Sequence, residues 1–148
     1  MKTQMPQLNR EPITILLVED EPAHAEIVRR NLNVFPSSHR LVHVEDGQMA
    51  LDYLFGADPG ALPDLILLDL RLPKVDGLEV LRQIQASGTL KNIPTVVLTT
   101  SAADADLAAA FRLGAVSYQL KPVTFEGYTE LLKSAPQPES LRRPPSHE

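Results

Sequence analysis

The sequence predicts an α/β fold: a doubly wound, five-stranded parallel sheet in the order 2-1-3-4-5, with helices on both faces. Three observations carry this prediction. Ile13 to Val18 and Leu65 to Leu70 are apolar runs that do not alternate, which is how strands read when helices cover both their faces. Segments with helical apolar spacing separate the runs, so strand and helix alternate five times between residues 13 and 134, and right-handed crossovers in one parallel sheet follow. Four runs also end in polar residues: Glu19-Asp20, Asp69, Thr99 and Lys121. In a sheet of this order the carboxyl ends share one edge, and the ligand crevice lies beside strands one and three.

The elements follow in order. After Ile13 to Val18, Pro22 suits the first turn of a helix with Ile27, Val28, Leu32 and Phe35 on one side. Arg40 to Val44 is a more polar second strand, suited to a sheet edge. Asp46-Gly47 opens a second helix carrying Ala50, Leu51, Leu54 and Phe55. The third strand, Leu65 to Leu70, precedes a helix bearing Leu78, Leu81 and Ile84; Asp76 and Glu79 resemble a capping box before it, and Gly88 follows near its end. Pro94 to Leu98 is the fourth strand. Ser101, with Asp104 three residues on, signals the start of an alanine-rich helix that stops at Gly114. Val116 to Leu120 is the last strand, and Phe125, Tyr128, Leu131 and Leu132 give a short closing helix over 124–134.

Residues 1–12 read as an N-terminal extension, 13–134 as one domain, and 135–148 as a tail rich in Pro, Ser and charge. Such a tail buries too little apolar area to offset chain entropy and is expected to be disordered. With 148 residues the chain is long enough for one core, and no Cys is present, which excludes a thiol nucleophile or Cys-ligated zinc. The polar first ten residues show no signal peptide, and no segment approaches the ~20 apolar residues of a membrane span. A cytoplasmic protein without membrane contact is expected. The net charge of -5 argues against nucleic acid, because the basic pairs Arg29-Arg30 and Arg142-Arg143 read as a solvated helix face and tail.

Glu19, Asp20 and Asp69 would converge at the sheet edge. Like charges ~5 Å apart at an effective dielectric of ~20 cost roughly 3 kcal/mol per pair, so the cluster wants a cation. Hard oxygen donors point to Mg2+, with Mn2+ as a substitute. Asp69, at the end of the most apolar strand, is the best candidate nucleophile, able to attack phosphorus and form an acyl phosphate. Lys121 would neutralise the transferring phosphoryl group and Thr99 would donate a hydrogen bond to it. Lys121-Pro122 directly follows a strand, and an X-Pro bond there can be cis.

Leu16-Leu17-Val18-Glu19-Asp20, Leu67 to Pro73 with Asp76-Gly77, Val97-Leu98-Thr99, and Tyr118 with Lys121-Pro122 together resemble the receiver domain of bacterial two-component response regulators. The resemblance covers residues 13 to about 134. It implies a flavodoxin-like fold, Asp69 as phosphoacceptor, Asp20 as a direct Mg2+ ligand, Glu19 as a ligand through water, and the Arg71 backbone carbonyl as another. Thr99 and Tyr118 would form a switch, the hydroxyl moving toward the phosphoryl group while the ring turns inward. Arg71, Thr100 and Ser101 would tune how long the phosphoryl group lasts. Val97 to Ser101, together with the expectation that no output domain accompanies the receiver, is similar to the single-domain regulators that partner bacterial phytochromes.

The resemblance implies a signalling protein that catalyses only its own phosphorylation and dephosphorylation, with a sensor histidine kinase, here a bacteriophytochrome, as donor. A face within 102–134, including Tyr118, Phe125 and Tyr128, could form a homodimer. Two other classes compete. An aspartyl phosphatase of the haloacid-dehalogenase type would need an acid two residues after the nucleophile, where this chain has Arg71. An interaction module with a vestigial site would not keep every site residue. Glycine-rich nucleotide motifs and a GxSxG elbow are missing.

Overall fold

The computed structural model describes residues 12–35, 39–100 and 105–135. Strand β1 (Ile13–Val18) leads to helix α1 (Pro22–Leu32), then β2 (His39–Val44), α2 (Gly47–Gly56), β3 (Leu65–Asp69), α3 (Gly77–Gln85), β4 (Thr95–Thr99), α4 (Ala105–Arg112), β5 (Ser117–Leu120) and α5 (Phe125–Lys133). All strand pairings are parallel, in the order β2-β1-β3-β4-β5. Fold class, strand order and the edge position of the polar second strand match the sequence-based expectation.

The apolar runs are continuous because the sheet has two covered faces. Leu16, Val18, Ile66, Leu68 and Val97 pack against Leu51 and Leu54 of α2, Leu81 and Ile84 of α3, and Leu107 of α4. Ile15, Leu17, Leu65, Leu67, Val96 and Leu98 pack against Val28 and Leu32 of α1 and Tyr128 and Leu131 of α5. Each such side chain taken from water contributes roughly 1.5–3 kcal/mol. Asn31 donates to the Tyr128 hydroxyl at 3.3 Å, tying α1 to α5.

Local signals act as expected at several helix starts. Pro22 occupies the first turn of α1, and the Asp46 carboxylate accepts from the Met49 amide at 2.8 Å. Asp76 likewise caps α3 through the Glu79 amide, but Glu79 turns to Arg82 and Gln83 instead of completing the box. Gly114 closes α4 at φ 104°. Gly88, by contrast, plays no such part: α3 ends at Ala86 in right-handed geometry. The expected start of α4 at Ser101 and Asp104 lies outside the described residues.

Two apolar residues assigned to the apolar faces of their helices, Ile27 and Phe55, are exposed, and Phe125 is exposed as well. On α1 the buried stripe is Ala25, Val28 and Leu32 and on α2 it is Ala50, Leu51 and Leu54, so Ile27 and Phe55 fall just outside it. Phe125, the first residue of α5, stacks on Phe35 at 5.0 Å between ring centroids. Arg29 and Arg30 form the solvated face expected of them, each near Glu26. No described helix is long and apolar enough to cross a membrane.

Candidate functional site

The sheet's carboxyl edge brings together residues far apart in sequence. Glu19 and Asp20 follow β1, Asp69 ends β3, Thr99 ends β4, and Lys121 follows β5. The Lys121 amide donates to the Thr99 carbonyl at 2.8 Å, extending the ladder by one residue. The Lys121–Pro122 bond is cis.

One carboxylate oxygen from each of Glu19, Asp20 and Asp69 falls within 4.8 Å of the others. The Lys121 ammonium donates to Glu19 Oε1 at 2.8 Å and to Asp69 Oδ2 at 2.9 Å. It therefore answers part of the repulsion that the sequence anticipates. Three carboxylates against one ammonium leave a formal charge of -2 in a partly buried site. Burial lowers the Lys121 pKa, but hydrogen bonds and charge from Glu19 and Asp69 outweigh it and hold the ammonium above its ordinary value.

The three carboxylates are not equivalent. Glu19 is buried, its Oε2 also accepts from the Glu21 amide at 3.1 Å, and its amide donates to the Val44 carbonyl. Asp69 Oδ1 accepts from the Arg71 amide at 3.0 Å. Asp20 makes no hydrogen bond or ion pair among the described residues, so its oxygens are the most available. This all-oxygen donor set, carrying net negative charge beside an open cleft, fits a hard divalent cation that keeps several of its waters.

A cleft of about 250 Å³ reaches these groups, lined by Glu19, Asp20, Asp69, Arg71, Thr99 and Lys121, with Thr100 exposed at its margin. The Arg71 guanidinium points outward to Asp106 of α4, 2.8 Å away. Tyr118 does not line the cleft; its ring sits half-exposed, edge-on to Phe111. Ser101 lies outside the described residues.

Three contributors escape sequence reading. His24, on the first turn of α1, brings Nδ1 to 3.6 Å from Glu19 Oε2; its place one turn past the acidic pair is a usable signal. Asp106 pairs with Arg71 across 35 residues, and His43 of β2 bonds the Glu19 carbonyl at 2.7 Å. Neither of those has a local signature.

A family model described as the response regulator receiver domain matches residues 15–133. The chain belongs to that family. This receiver is 49% identical over 118 residues to a probable methanogenesis regulatory protein, FilR2 of Methanothrix harundinacea, covering 78% of this chain and 76% of that one. It is 42% identical over 113 residues to the response regulator Rcp1 of Synechocystis, covering 74% and 77%. Among solved structures, the bacteriophytochrome response regulator AtBRR aligns at TM-score 0.75 and 39% identity, covering 85% of this chain and 94% of that one. The Mn2+-bound form of Rcp1 aligns at 0.71 and 37%, covering 82% and 91%. A phosphorylated cyanobacterial phytochrome response regulator, RcpA, aligns at 0.75 and 36%, covering 87% and 100%.

Proposed function

We propose that this receiver accepts a phosphoryl group on Asp69 in the cytoplasm, with Mg2+ or Mn2+ bound, and signals through contacts of its own surface. The observation that carries the reading is the placement of Asp69 between a cation-seeking carboxylate cluster and the Lys121 ammonium. Asp20, Asp69 and the Arg71 carbonyl would hold the metal directly and Glu19 through water. The cation would neutralise charge on the transferring phosphoryl oxygens.

The Asp69 oxygen attacks phosphorus of a phosphohistidine; the P–N bond breaks, its electron pair stays with the imidazole, and water supplies the proton that nitrogen takes up. Lys121, already bonded to Asp69, can turn to a phosphoryl oxygen without leaving the site. Thr99 would donate to another oxygen while Tyr118, now outward, turns in. Arg71 and Thr100 line the cleft, and these two together with Ser101, the next residue in the sequence, would set the lifetime of the acyl phosphate. Such a chain changes only its own phosphorylation state.

The donor we propose is a sensor histidine kinase, and a bacteriophytochrome is favoured by the likeness to AtBRR. A homodimer is proposed through Phe111, Val116, Tyr118 and Leu120, all substantially exposed; Tyr128, expected on that face, is instead 2% exposed and part of the core. Label from a phosphorylated kinase or small phosphodonor tests the reading. Labelling should need Mg2+, be labile to hydroxylamine, and vanish in Asp69→Asn; full labelling of that variant places the nucleophile elsewhere.

A further inference from the structure

The edge strand β2 reaches the acidic site through one side chain. His43 Nε2 lies 2.7 Å from the Glu19 backbone carbonyl. A carbonyl only accepts, so Nε2 carries the hydrogen. The neighbouring residue of the same strand, Val44, accepts the Glu19 amide at 3.1 Å. Glu19 is thus gripped at both its backbone groups by consecutive residues of β2, while Lys121 and the Glu21 amide hold its carboxylate.

The carbonyl of Glu19 and the amide of Asp20 belong to one rigid peptide plane. Fixing that carbonyl therefore fixes the orientation of the link between two proposed metal ligands. Asp20 has no hydrogen bond or ion pair of its own among the described residues, and its side chain depends on the backbone for its aim. The bond that the Glu19 amide donates to the Val44 carbonyl is an ordinary continuation of the β1–β2 pairing and would form with any residue at position 43. The imidazole bond would not.

We propose that His43 is a positioning residue for divalent-cation binding, acting through the Glu19–Asp20 peptide plane and touching neither metal nor phosphoryl group. The inference rests on reading Asp20 and Glu19 as metal ligands. Orienting groups of this kind typically change metal affinity 10–100-fold; a single neutral bond to the backbone should lie near the lower figure.

Mn2+ affinity, read from the electron paramagnetic resonance of free Mn2+, tests the proposal on the full chain without any phosphorylation. In His43→Leu affinity should fall about tenfold, while the melting temperature drops by only about 4 °C. His43→Gln keeps an N–H donor near the carbonyl and should recover affinity to within about threefold of wild type. Leu41→Ala, a comparable lesion to the packing of the same strand, should lower the melting temperature yet leave Mn2+ affinity within twofold.

Unchanged affinity in His43→Leu overturns the proposal, and so does an equal loss in Leu41→Ala, which would make the effect one of general stability. If wild type binds Mn2+ but takes no label on Asp69, the proposed function fails while the positioning role stands. If wild type binds no Mn2+, both fail.

Discussion

The Lys121 ammonium lies 2.8 Å from the carboxylate of Glu19, a residue 102 positions earlier that is itself only 1% exposed. A buried carboxylate is costly unless paired, and removing one partner of such a pair leaves the other charge uncompensated. Lys121→Met should therefore destabilise the metal-free protein by about 3 kcal/mol, seen as a lower urea midpoint. An unchanged midpoint would mean that Glu19 is stabilised by its amide contacts alone.

The same contact has a pH signature. Despite burial, which acts to lower it, the Lys121 pKa is raised by Glu19 and Asp69 above its ordinary 10.5. A group whose folded pKa is raised contributes stability that is complete below the unfolded value and is lost as pH climbs through the folded one. The difference in unfolding free energy between wild type and Lys121→Met should be flat from about pH 7 to 9 and shrink only above about 10.5. Urea titrations across that range check it; a difference already shrinking near pH 8 would contradict the raised pKa.

Divalent cation should stabilise the fold. At a free concentration near 100 times its dissociation constant the gain is about 2.7 kcal/mol, provided the unfolded chain does not bind. Asp20→Asn should shrink the response to Mg2+ and raise the metal-free melting temperature, because it removes a negative charge that no described residue balances. Thermal melts with and without Mg2+ decide this; a variant that melts lower without metal and responds as wild type does would break the cluster assignment.

The loop between β3 and α3 is fixed by close backbone approaches. A Cβ on Gly47 would meet the Val75 carbonyl oxygen at 1.7 Å, and one on Gly77 would meet the Asp69 carbonyl oxygen at 2.6 Å. Gly47→Ala and Gly77→Ala should each cost more than about 3 kcal/mol, since backbone must move. Lys74 in the same loop stands at φ 69°, a left-handed conformation that costs a non-glycine residue roughly 1–2 kcal/mol. Lys74→Gly should stabilise by up to about 1 kcal/mol, reduced slightly by loss of the ion pair between the exposed Lys74 ammonium and the buried Asp46 carboxylate, 3.7 Å apart. Denaturant midpoints of the three variants test both signs.

Much of the architecture was legible because strand and helix periodicities differ and because both faces of this sheet are covered. Glu19, Asp20, Asp69, Thr99 and Lys121 could be found together since parallel strands must end at a shared edge. What stayed hidden depends on side-chain reach across elements. His43 looks like one polar residue in a polar edge strand, and Asp106 looks like ordinary first-turn acid on α4. Helix faces are legible only to within a residue, so Ile27 and Phe55 read as inward although the buried stripes pass beside them.

That offset matters for the proposed dimer. Tyr128 is core, so Tyr128→Asp should unfold the domain and report nothing about association. Leu120→Asp, at a site 44% exposed, should leave the fold intact and abolish any dimer. Sedimentation of wild type and this variant, with and without phosphodonor, is the check; a concentration-independent monomer in every case rules the dimer out.

The most direct measurement is chemical mapping of the phosphorylated residue. After incubation with phosphodonor and Mg2+, borohydride reduction converts an aspartyl phosphate to homoserine, and peptide mass spectrometry locates it. Homoserine should appear at position 69 alone and be absent when EDTA replaces Mg2+. Conversion at Asp20, or phosphate retained on Thr99 or another hydroxyl with Asp69 unmodified, would rule out Asp69 as the phosphoacceptor.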